Sequence, residues 1–349
     1  NPAVVTCGLP YSNGDLHIGH LRGTIGADVY ARALRKLGQN APYICGSDMH
    51  GTPIAVQADQ ENVDPEKFAL KYHEQHRETF EGYNIDFARY GHTHEETNIN
   101  LTQEIVQTLE EEGYIVEKEI DVAWDPQEDQ PLPDRYVEGT CPYCGELARG
   151  DECDEGCGRH LEPGEIVDPV STITGNSAEY RTRRHKFFRL SDLQEYLQRF
   201  INRLEGTANA RNQPREWIED ELEDWCITRD LEWGVEYPGE PPEGQDQLVL
   251  YVWVDAPIGY ISFTKDYSAE VGDDEYDWEE VWKQDGEIVH FIGADIIQHH
   301  AIFWPAMLHG ADYNEPRAIA ACGYVTLRGK GFSKSRGRAV WAREYLDEG

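Results

Sequence analysis

Residues 4–20 constrain the fold of this chain more strongly than any other stretch of its sequence. The β-branched residues at positions 4–6 favour a buried strand, which Pro, Asn and Gly at positions 10, 13 and 14 then interrupt. Asp15 is expected to cap a helix whose apolar residues recur every three or four positions until Gly38. The stretch therefore predicts a strand, a tight turn and a helix.

This turn brings His17, Gly19 and His20 to the N-terminus of the predicted helix, just beyond the strand. Free backbone N–H groups and the helix dipole attract phosphate at such a place, and Gly19 allows a ligand to approach the backbone. The two imidazoles add further donors on the same side. Their spacing alone is as typical of a solvated helix face as of a phosphate site, so the choice depends on the rest of the chain.

The chain is strongly acidic, with 66 Asp and Glu residues against 31 Lys and Arg residues and a net charge of −35. Nucleic-acid-binding proteins normally carry the opposite balance. Either the protein never meets nucleic acid, or its acidic surface is adapted to concentrated salt, where the Debye length falls to about 3 Å and self-repulsion is screened. The even spread of acid, the scarcity of Lys and an ordinary apolar content of 39% favour a halophilic source.

Strands alternate with helices over residues 1–113, which predicts a parallel sheet with binding sites at the carboxyl ends of its strands. This alternation of strands and helices ends at residues 114–228, which are interpreted as an insertion. Asp295 is expected to cap a helix that contains His299 and His300. No run of 18 apolar residues occurs, so no membrane span is expected. Further helices are predicted at 53–61, 65–82 and 96–112, and further strands of the sheet at 42–46, 248–254, 288–292 and 318–324.

Four of the eight cysteines have the spacing C-x2-C-x8-C-x3-C, at Cys141, Cys144, Cys153 and Cys157. Four thiolates form a tetrahedral Zn²⁺ site, and a closed site of this kind is structural because it staples a loop too small to bury a core. The wider second spacing makes His160 an alternative to Cys157 as the fourth ligand. The other cysteines lie singly in apolar contexts, which predicts buried thiols in a reducing compartment, the cytoplasm.

Other side chains fit a binding site for an amino acid and a nucleotide. Asp48 ends a predicted strand, where its carboxylate would either pair with a substrate ammonium or cap the next helix. The Gly-rich loop from Lys330 to Lys334 would either clamp a triphosphate or form a solvated hairpin tip. Aromatic and small residues suited to an apolar side chain or a thioether, although each alone is more typical of a core, are Trp253, Ala256, Pro257, Tyr260 and His300.

Taken together, these segments resemble the methionyl-tRNA synthetases, a class I family, in the order of that family and over nearly the whole chain. Residues 9–20 end in His-Ile-Gly-His, the first class I signature. The zinc knuckle and Trp-x-Asp-Ala-Pro-Ile-Gly-Tyr separate the chain from the isoleucine, leucine and valine enzymes, whose editing insertion is also larger than 114–228. The other segments that carry the resemblance are 46–53, 132–145, 252–260, 290–295, 303–307, 323–326 and 332–335.

The resemblance implies an α/β fold, with a Rossmann-type parallel sheet split by a connective insertion that carries a zinc knuckle. It implies an enzyme that joins L-methionine to ATP, present with Mg²⁺, to form methionyl-adenylate and pyrophosphate. Methionine would then pass to the 3′-terminal adenosine of tRNA(Met). The implied catalytic residues are His17, His20 and Lys334. The implied ATP-binding residues are His17, Gly19, His20, Gly293, Asp295, Lys330 and Lys334. The implied methionine-binding residues are Tyr11, Asp48, Trp253, Ala256, Pro257, Tyr260 and His300.

The resemblance also implies a division of the chain. Gly331 stands where the second signature of the family has its first lysine, and Lys330 lies one residue earlier. One zinc is expected, because the stretches flanking the knuckle contain no cysteine. We expect the chain to be a piece of a longer protein. This piece is expected to lack the helical anticodon-binding domain that the family carries downstream. Alternatives are a non-catalytic tRNA-binding paralogue and another nucleotidyltransferase with the same histidine turn. The implied parts are 1–113 and 229–322 for the halves of the catalytic domain, 114–228 for the insertion with its knuckle at about 138–160, and 323–349 for the signature loop and the start of the stem-contact region.

Overall fold

The computed structural model of the protein describes residues 2–153, 156–219, 222–327, 330–331 and 340–348. None of the helices in these ranges has the uninterrupted apolar length that a bilayer crossing requires. The helices are α1 (Ile18–Lys36), α2 (Thr52–Gln60), α3 (Pro65–Gly82), α4 (Glu96–Glu111), α5 (Gln194–Arg203), α6 (Ala208–Glu219), α7 (Val252–Val271), α8 (Trp278–Trp282), α9 (Trp304–Gly310) and α10 (Ala342–Glu348). The strands are β1 (Ala3–Cys7), β2 (Tyr43–Ser47), β3 (Arg89–His92), β4 (Ile115–Asp125), β5 (Gln130–Pro131), β6 (Val137–Thr140), β7 (Leu147–Arg149), β8 (Val167–Ser171), β9 (Glu179–Phe188), β10 (Glu205–Gly206), β11 (Trp225–Cys226), β12 (Thr228–Arg229), β13 (Val249–Leu250), β14 (Glu287–Gly293), β15 (Ala318–Cys322), β16 (Thr326–Leu327) and β17 (Lys330–Gly331).

Among the described residues, six strands form one parallel sheet in the order β10-β15-β14-β1-β2-β3. Strand β1 is buried along its whole length and lies between β14 and β2, with Val5 opposite both Val289 and Tyr43. Because the strands run in one direction, the loops that follow β1, β2 and β14 meet at the same edge of the sheet. The predicted parallel sheet and the strand, turn and helix of residues 4–20 are confirmed.

The segment 248–254 is not the predicted strand of the parallel sheet. Its extended part is β13, which pairs antiparallel with β12 outside that sheet. Helix α7 follows at once, and the ring of Phe263 covers Gly46 and Gly91 on adjacent strands, where a Cβ at Gly91 would lie 2.5 Å from the ring. The prediction is wrong because residues 254–264 are all buried, so the helix shows no periodic polar face.

One part of the stretch 114–228 forms a separate small sheet with its own core, and another part packs against the main body. Strands β4 and β9 form a long antiparallel pair, and β6, β7 and β8 form a separate small sheet with its own core, which includes Cys141 and Cys153. Helices α5 and α6 then return to the main body, where β10 pairs with β15. The main core likewise continues through Phe188 and Trp225. The core of the parallel sheet is therefore continuous with the core of the nearer part of this stretch.

Candidate active site

The turn after β1 ends in a reciprocal cap made by two histidines. The backbone N–H of Gly19 donates to His17 Nδ1, and the backbone N–H of His17 donates to His20 Nδ1, each at 3.1 Å. Since Nδ1 of each neutral ring accepts a hydrogen bond, each ring carries its proton on Nε2. The rings stack with their centroids 3.9 Å apart. The prediction of Asp15 as the cap is wrong, because α1 begins two residues later than a cap at Asp15 requires.

The chain that follows the predicted triphosphate loop lies beside this cap. The N–H of Ile18 donates to the Val340 carbonyl at 3.0 Å, and the N–H of Ala342 donates to the Leu16 carbonyl at 2.8 Å. The backbone of Lys330 and Gly331 forms β17, which pairs with β16. Lys334 lies outside the described residues. Residues 340–342, on the far side of this loop, thus run next to the start of α1.

Tyr11 and Asp48 are neighbours at the carboxyl edge of the sheet. The N–H of Ser12 donates to the Asp48 carbonyl at 2.9 Å, and the N–H of Asp48 donates to the Pro10 carbonyl at 3.0 Å. These bonds continue the parallel pairing of β1 and β2 into the loops that follow them. Two predicted site residues from separate motifs therefore belong to one surface.

The carboxyl group of Asp48 is buried, with no cation beside it among the described residues. Its side chain is 4% exposed, and Oδ1 accepts a hydrogen bond from the N–H of His50 at 3.2 Å. Burial and the nearby Asp255 carboxylate raise the pKa of Asp48 well above its usual range, and within the described part of the chain no positive charge opposes them. Helix capping, the alternative role, is wrong because Gly51 is the N-cap of α2 and no side chain bonds there.

Helix α7 brings four predicted methionine-site residues to one face. Trp253, Ala256, Pro257 and Tyr260 have the spacing i, i+3, i+4, i+7, which lines one side of a helix. The strand predicted at 248–254 ended before Ala256, so it placed only Trp253 of these four residues on a regular element. The correction from strand to helix is therefore what assembles this wall.

His300 faces this wall from the π-helical turn His299–Phe303. Its Nδ1–H donates to the Ile296 carbonyl at 3.0 Å, and its Nε2 accepts a hydrogen bond from the Tyr260 hydroxyl at 2.8 Å. Its ring centroid lies 6.1 Å from that of Trp253. Burial lowers the pKa of His300 to about 4, so the ring is neutral at pH 7. The wall is therefore apolar except for the hydrogen bond between the Tyr260 hydroxyl and His300.

A cleft of about 120 Å³ opens at this edge, lined in part by Tyr11, Trp253, Asp295 and His299. A Cβ at Gly293 would collide with a carboxylate oxygen of Asp295, so a side chain there would require that carboxylate to move. The prediction that Asp295 caps the following helix is wrong, since its carboxylate folds back toward Gly293 and no side chain caps the 3-10 turn there.

The sequence did not indicate His299, which lines the cleft, or Arg229, which contacts two residues that line it. The His299 ring stacks on Trp253 at 3.9 Å, and neither of its buried ring nitrogens has a hydrogen-bond partner among the described residues. Arg229 is 2% exposed, donates to Asp134 Oδ1 at 2.7 Å and lies 4.0 Å above the Tyr251 ring. The contacts of both residues join segments that are distant in the chain, so no local sequence pattern predicts them.

The four predicted metal ligands come together. The Sγ atoms of Cys141, Cys144, Cys153 and Cys157 all lie within 4.8 Å of one another. Gly156 is held against them, since its Cβ would lie 2.6 Å from the sulfur of Cys144 and 2.8 Å from that of Cys153. Four thiolates at this separation suit one Zn²⁺ ion. His160, the alternative ligand, instead lies 3.3 Å from Glu162 Oε1, so Cys157 completes the set.

Comparison with known proteins agrees with this architecture. The sequence model of the family described as "tRNA synthetases class I (M)" matches residues 3–348. A protein of Natronomonas pharaonis named "Methionine--tRNA ligase" is 67% identical over 356 residues, which cover 100% of this chain and 51% of that protein. A protein of the same name from Haloarcula marismortui is 65% identical over 365 residues, again 100% of this chain and 51% of that protein. Both relatives come from halophilic archaea.

A solved structure shares the fold. That structure is Mycobacterium tuberculosis methionyl-tRNA synthetase in complex with methionyl-adenylate, with a TM-score of 0.75, 24% identity, and coverage of 100% of this chain and 62% of the other. The parallel sheet with a histidine turn at its edge defines a class I synthetase fold. The chain belongs to the family of class I tRNA synthetases of the (M) type, and it spans about half the length of the curated relatives it matches.

Proposed function

We propose that this chain carries the catalytic site of a methionine–tRNA ligase. It joins L-methionine to ATP, forming methionyl-adenylate and pyrophosphate, and then transfers methionine to the 3′-terminal adenosine of tRNA(Met). The observation that carries the proposal is the meeting of the histidine cap, Asp48 and the apolar wall of α7 at one edge of the parallel sheet. The name shared by the curated relatives supports it.

The histidine cap would hold the phosphates of ATP. His17 and His20 would donate from Nε2, and Gly19 and the N-terminus of α1 leave room and favourable potential for the phosphates. These donors would stabilise the charge that develops on the α-phosphate as the carboxylate of methionine attacks it. No side-chain nucleophile is needed, because positioning and preorganised charge lower the barrier.

The pyrophosphate leaving group and the adenosine of ATP would bind on either side of the histidine cap. Lys334, with Lys330, would stabilise the departing pyrophosphate, and the pairing of residues 340–342 with the start of α1 supports a place for their loop beside the cap. Gly293 and Asp295 would contact the adenosine. Mg²⁺ bound to ATP would neutralise part of the phosphate charge.

Methionine would bind between Asp48 and the apolar wall. The Asp48 carboxylate, which lacks a cation within the described part of the chain, would receive the ammonium. Tyr11 would lie beside it, and the other pocket residues would enclose the thioether side chain. Those residues are Trp253, Ala256, Pro257, Tyr260 and His300.

The metal of the insertion would be structural and would take no part in the formation of the adenylate. One Zn²⁺ held by the cysteine cluster would tie together the small sheet that Cys141 and Cys153 help to bury. In this proposal, residues 1–113 and 229–322 form the halves of the catalytic domain, 114–228 the insertion, and 323–349 the signature loop and the start of the stem-contact region.

Amino-acid-dependent ATP–pyrophosphate exchange tests the proposal. The chain is assayed in molar KCl with methionine, and in parallel with isoleucine and leucine. Exchange with methionine alone supports the proposed function. Exchange with none of the three would point to a non-catalytic tRNA-binding paralogue, and exchange with another amino acid would refute the assignment of the pocket.

A further inference from the structure

Two buried carboxyl groups, those of Asp48 and Asp255, flank His50. The proposed function assigns no role to His50. His50 Nδ1 lies 2.7 Å from Asp255 Oδ2, and the backbone N–H of His50 donates to Asp48 Oδ1 at 3.2 Å. Asp48 is 4% exposed, His50 1% and Asp255 0%. Asp255 lies on α7, 205 positions along the chain from His50, so the three groups meet only in the folded protein.

Resting on the proposed function, we propose that Asp255 acts through His50 as a positioning residue for Asp48. The contact fixes the N–H that orients the ammonium-binding carboxylate, and it places a second carboxylate behind the first. Asp255 itself does not touch the substrate. Its role is to keep Asp48 in one orientation and to increase the demand of this site for a positive charge.

The loop that carries Asp48 is also held by hydrogen bonds between uncharged groups. Its backbone conformation therefore does not depend on the charge of residue 255. The N–H of Met49 donates to Thr93 Oγ1 at 2.9 Å, and Trp233 Nε1 donates to the Met49 carbonyl at 2.7 Å. These bonds keep the backbone of the loop in place whether or not Asp255 is ionised. A neutral residue at 255 should therefore preserve the fold of the loop and change mainly its electrostatics.

The Asp255 carboxyl group is poorly compensated. Its Oδ1 has no hydrogen-bond partner among the described residues. Burial raises the pKa of Asp255 well above its usual range, and the Asp255 carboxylate in turn raises the pKa of Asp48. Burial lowers the pKa of His50 to about 3, so His50 is neutral at pH 7. An arriving ammonium supplies the charge that this pair lacks. The titratable groups that face the pair from neighbouring elements are Tyr11, Tyr260, His92 and His94.

The replacement Asp255→Asn removes the charge and keeps atoms that can bond to His50 Nδ1. Without repulsion from residue 255, the pKa of Asp48 falls, so the acid limb of kcat/KM for methionine should move to lower pH. A bound ammonium favours the ionised form of both buried carboxyl groups, so the replacement removes one of its two attracting charges. KM for methionine should therefore rise by about fivefold or more, in the range for residues of one coupled network. KM for ATP should stay unchanged.

A matched control lies on the same helix. Asp266→Asn makes the same chemical change at a partly exposed residue that pairs with Arg89 at 3.3 Å, and it should leave both KM values and the pH profile unaltered. A second pair of variants covers the case in which Asp255→Asn does not fold. His50→Asn places an amide where Nδ1 was and keeps the contact with Asp255, whereas His50→Gln places it nearer Nε2 and loses that contact. His50→Gln alone should raise KM for methionine.

The decisive experiment measures methionine-dependent ATP–pyrophosphate exchange from pH 5 to 9 in molar KCl for these variants and the unaltered chain. A methionine-specific rise in KM with a displaced acid limb supports the inference. An Asp255→Asn protein with an unchanged limb, or with equal rises in KM for methionine and ATP, overturns it and leaves the proposed function intact. An unaltered chain without methionine-dependent exchange overturns the proposed function and this inference together.

Discussion

Replacing Tyr260 with phenylalanine removes one hydroxyl group from the apolar wall and tests how that wall is held. The hydroxyl donates to His300 Nε2 at 2.8 Å, and the other ring nitrogen is already committed to the Ile296 carbonyl. His300 is 1% exposed, so water cannot readily replace the lost donor. A buried acceptor left without a partner costs about 1–3 kcal/mol. We expect Tyr260→Phe to lower the free energy of unfolding by this amount and to raise KM for methionine.

Urea unfolding in molar KCl measures the first effect, and methionine-dependent pyrophosphate exchange measures the second. Tyr30→Phe is the control, because Tyr30 is 37% exposed on α1 and the same change there should cost less than about 0.5 kcal/mol. In a double-mutant cycle, adding His300→Leu removes the acceptor as well, so the combined loss should be smaller than the sum of the single losses. Equal costs for Tyr260→Phe and Tyr30→Phe, or strictly additive losses, would refute the assigned hydrogen bond.

Four further predictions concern the other parts of the site and the dependence of the chain on salt. Chelation of zinc, or Cys144→Ser, should unfold the small cysteine-bearing sheet, seen by limited proteolysis, while ATP still binds; complete loss of ATP binding would contradict a purely structural metal. Asp48→Asn should raise KM for methionine by about 30-fold or more, since a buried charge pair loses one partner. In the unaltered chain, methionine affinity should fall as pH drops through the raised pKa of Asp48, at a higher pH than for an ordinary aspartate; an affinity that is flat down to pH 4 would argue against this carboxylate as the ammonium ligand. Folding and exchange should be strongest in molar KCl, as circular dichroism and activity across a salt series would report, and full activity in dilute buffer would disprove the halophilic interpretation.

Local patterns in the sequence were sufficient for the parts of the site that are made by neighbouring residues. The histidine turn at residues 17–20 and the four cysteines depend on short spacings, and both are assembled as the sequence predicts. Caps were less predictable. Asp15 and Asp295 are good capping residues by type, yet His17 caps α1 and no side chain caps the turn at Gly293, because a cap is decided by where the first helical turn begins.

The sequence by itself determined the alternation of strands and helices, the histidine turn and the grouping of the four cysteines, because each depends on residues close together in the chain. Tertiary structure alone decided that residues 252–271 form a helix, since the uninterrupted burial of residues 254–264 removes the periodicity that would reveal one. It also decided which distant groups meet: Tyr260 with His300, and Asp255 with His50. Such pairs arise from the packing of α7 against the sheet, and their energies depend on burial, a property that only the folded chain possesses.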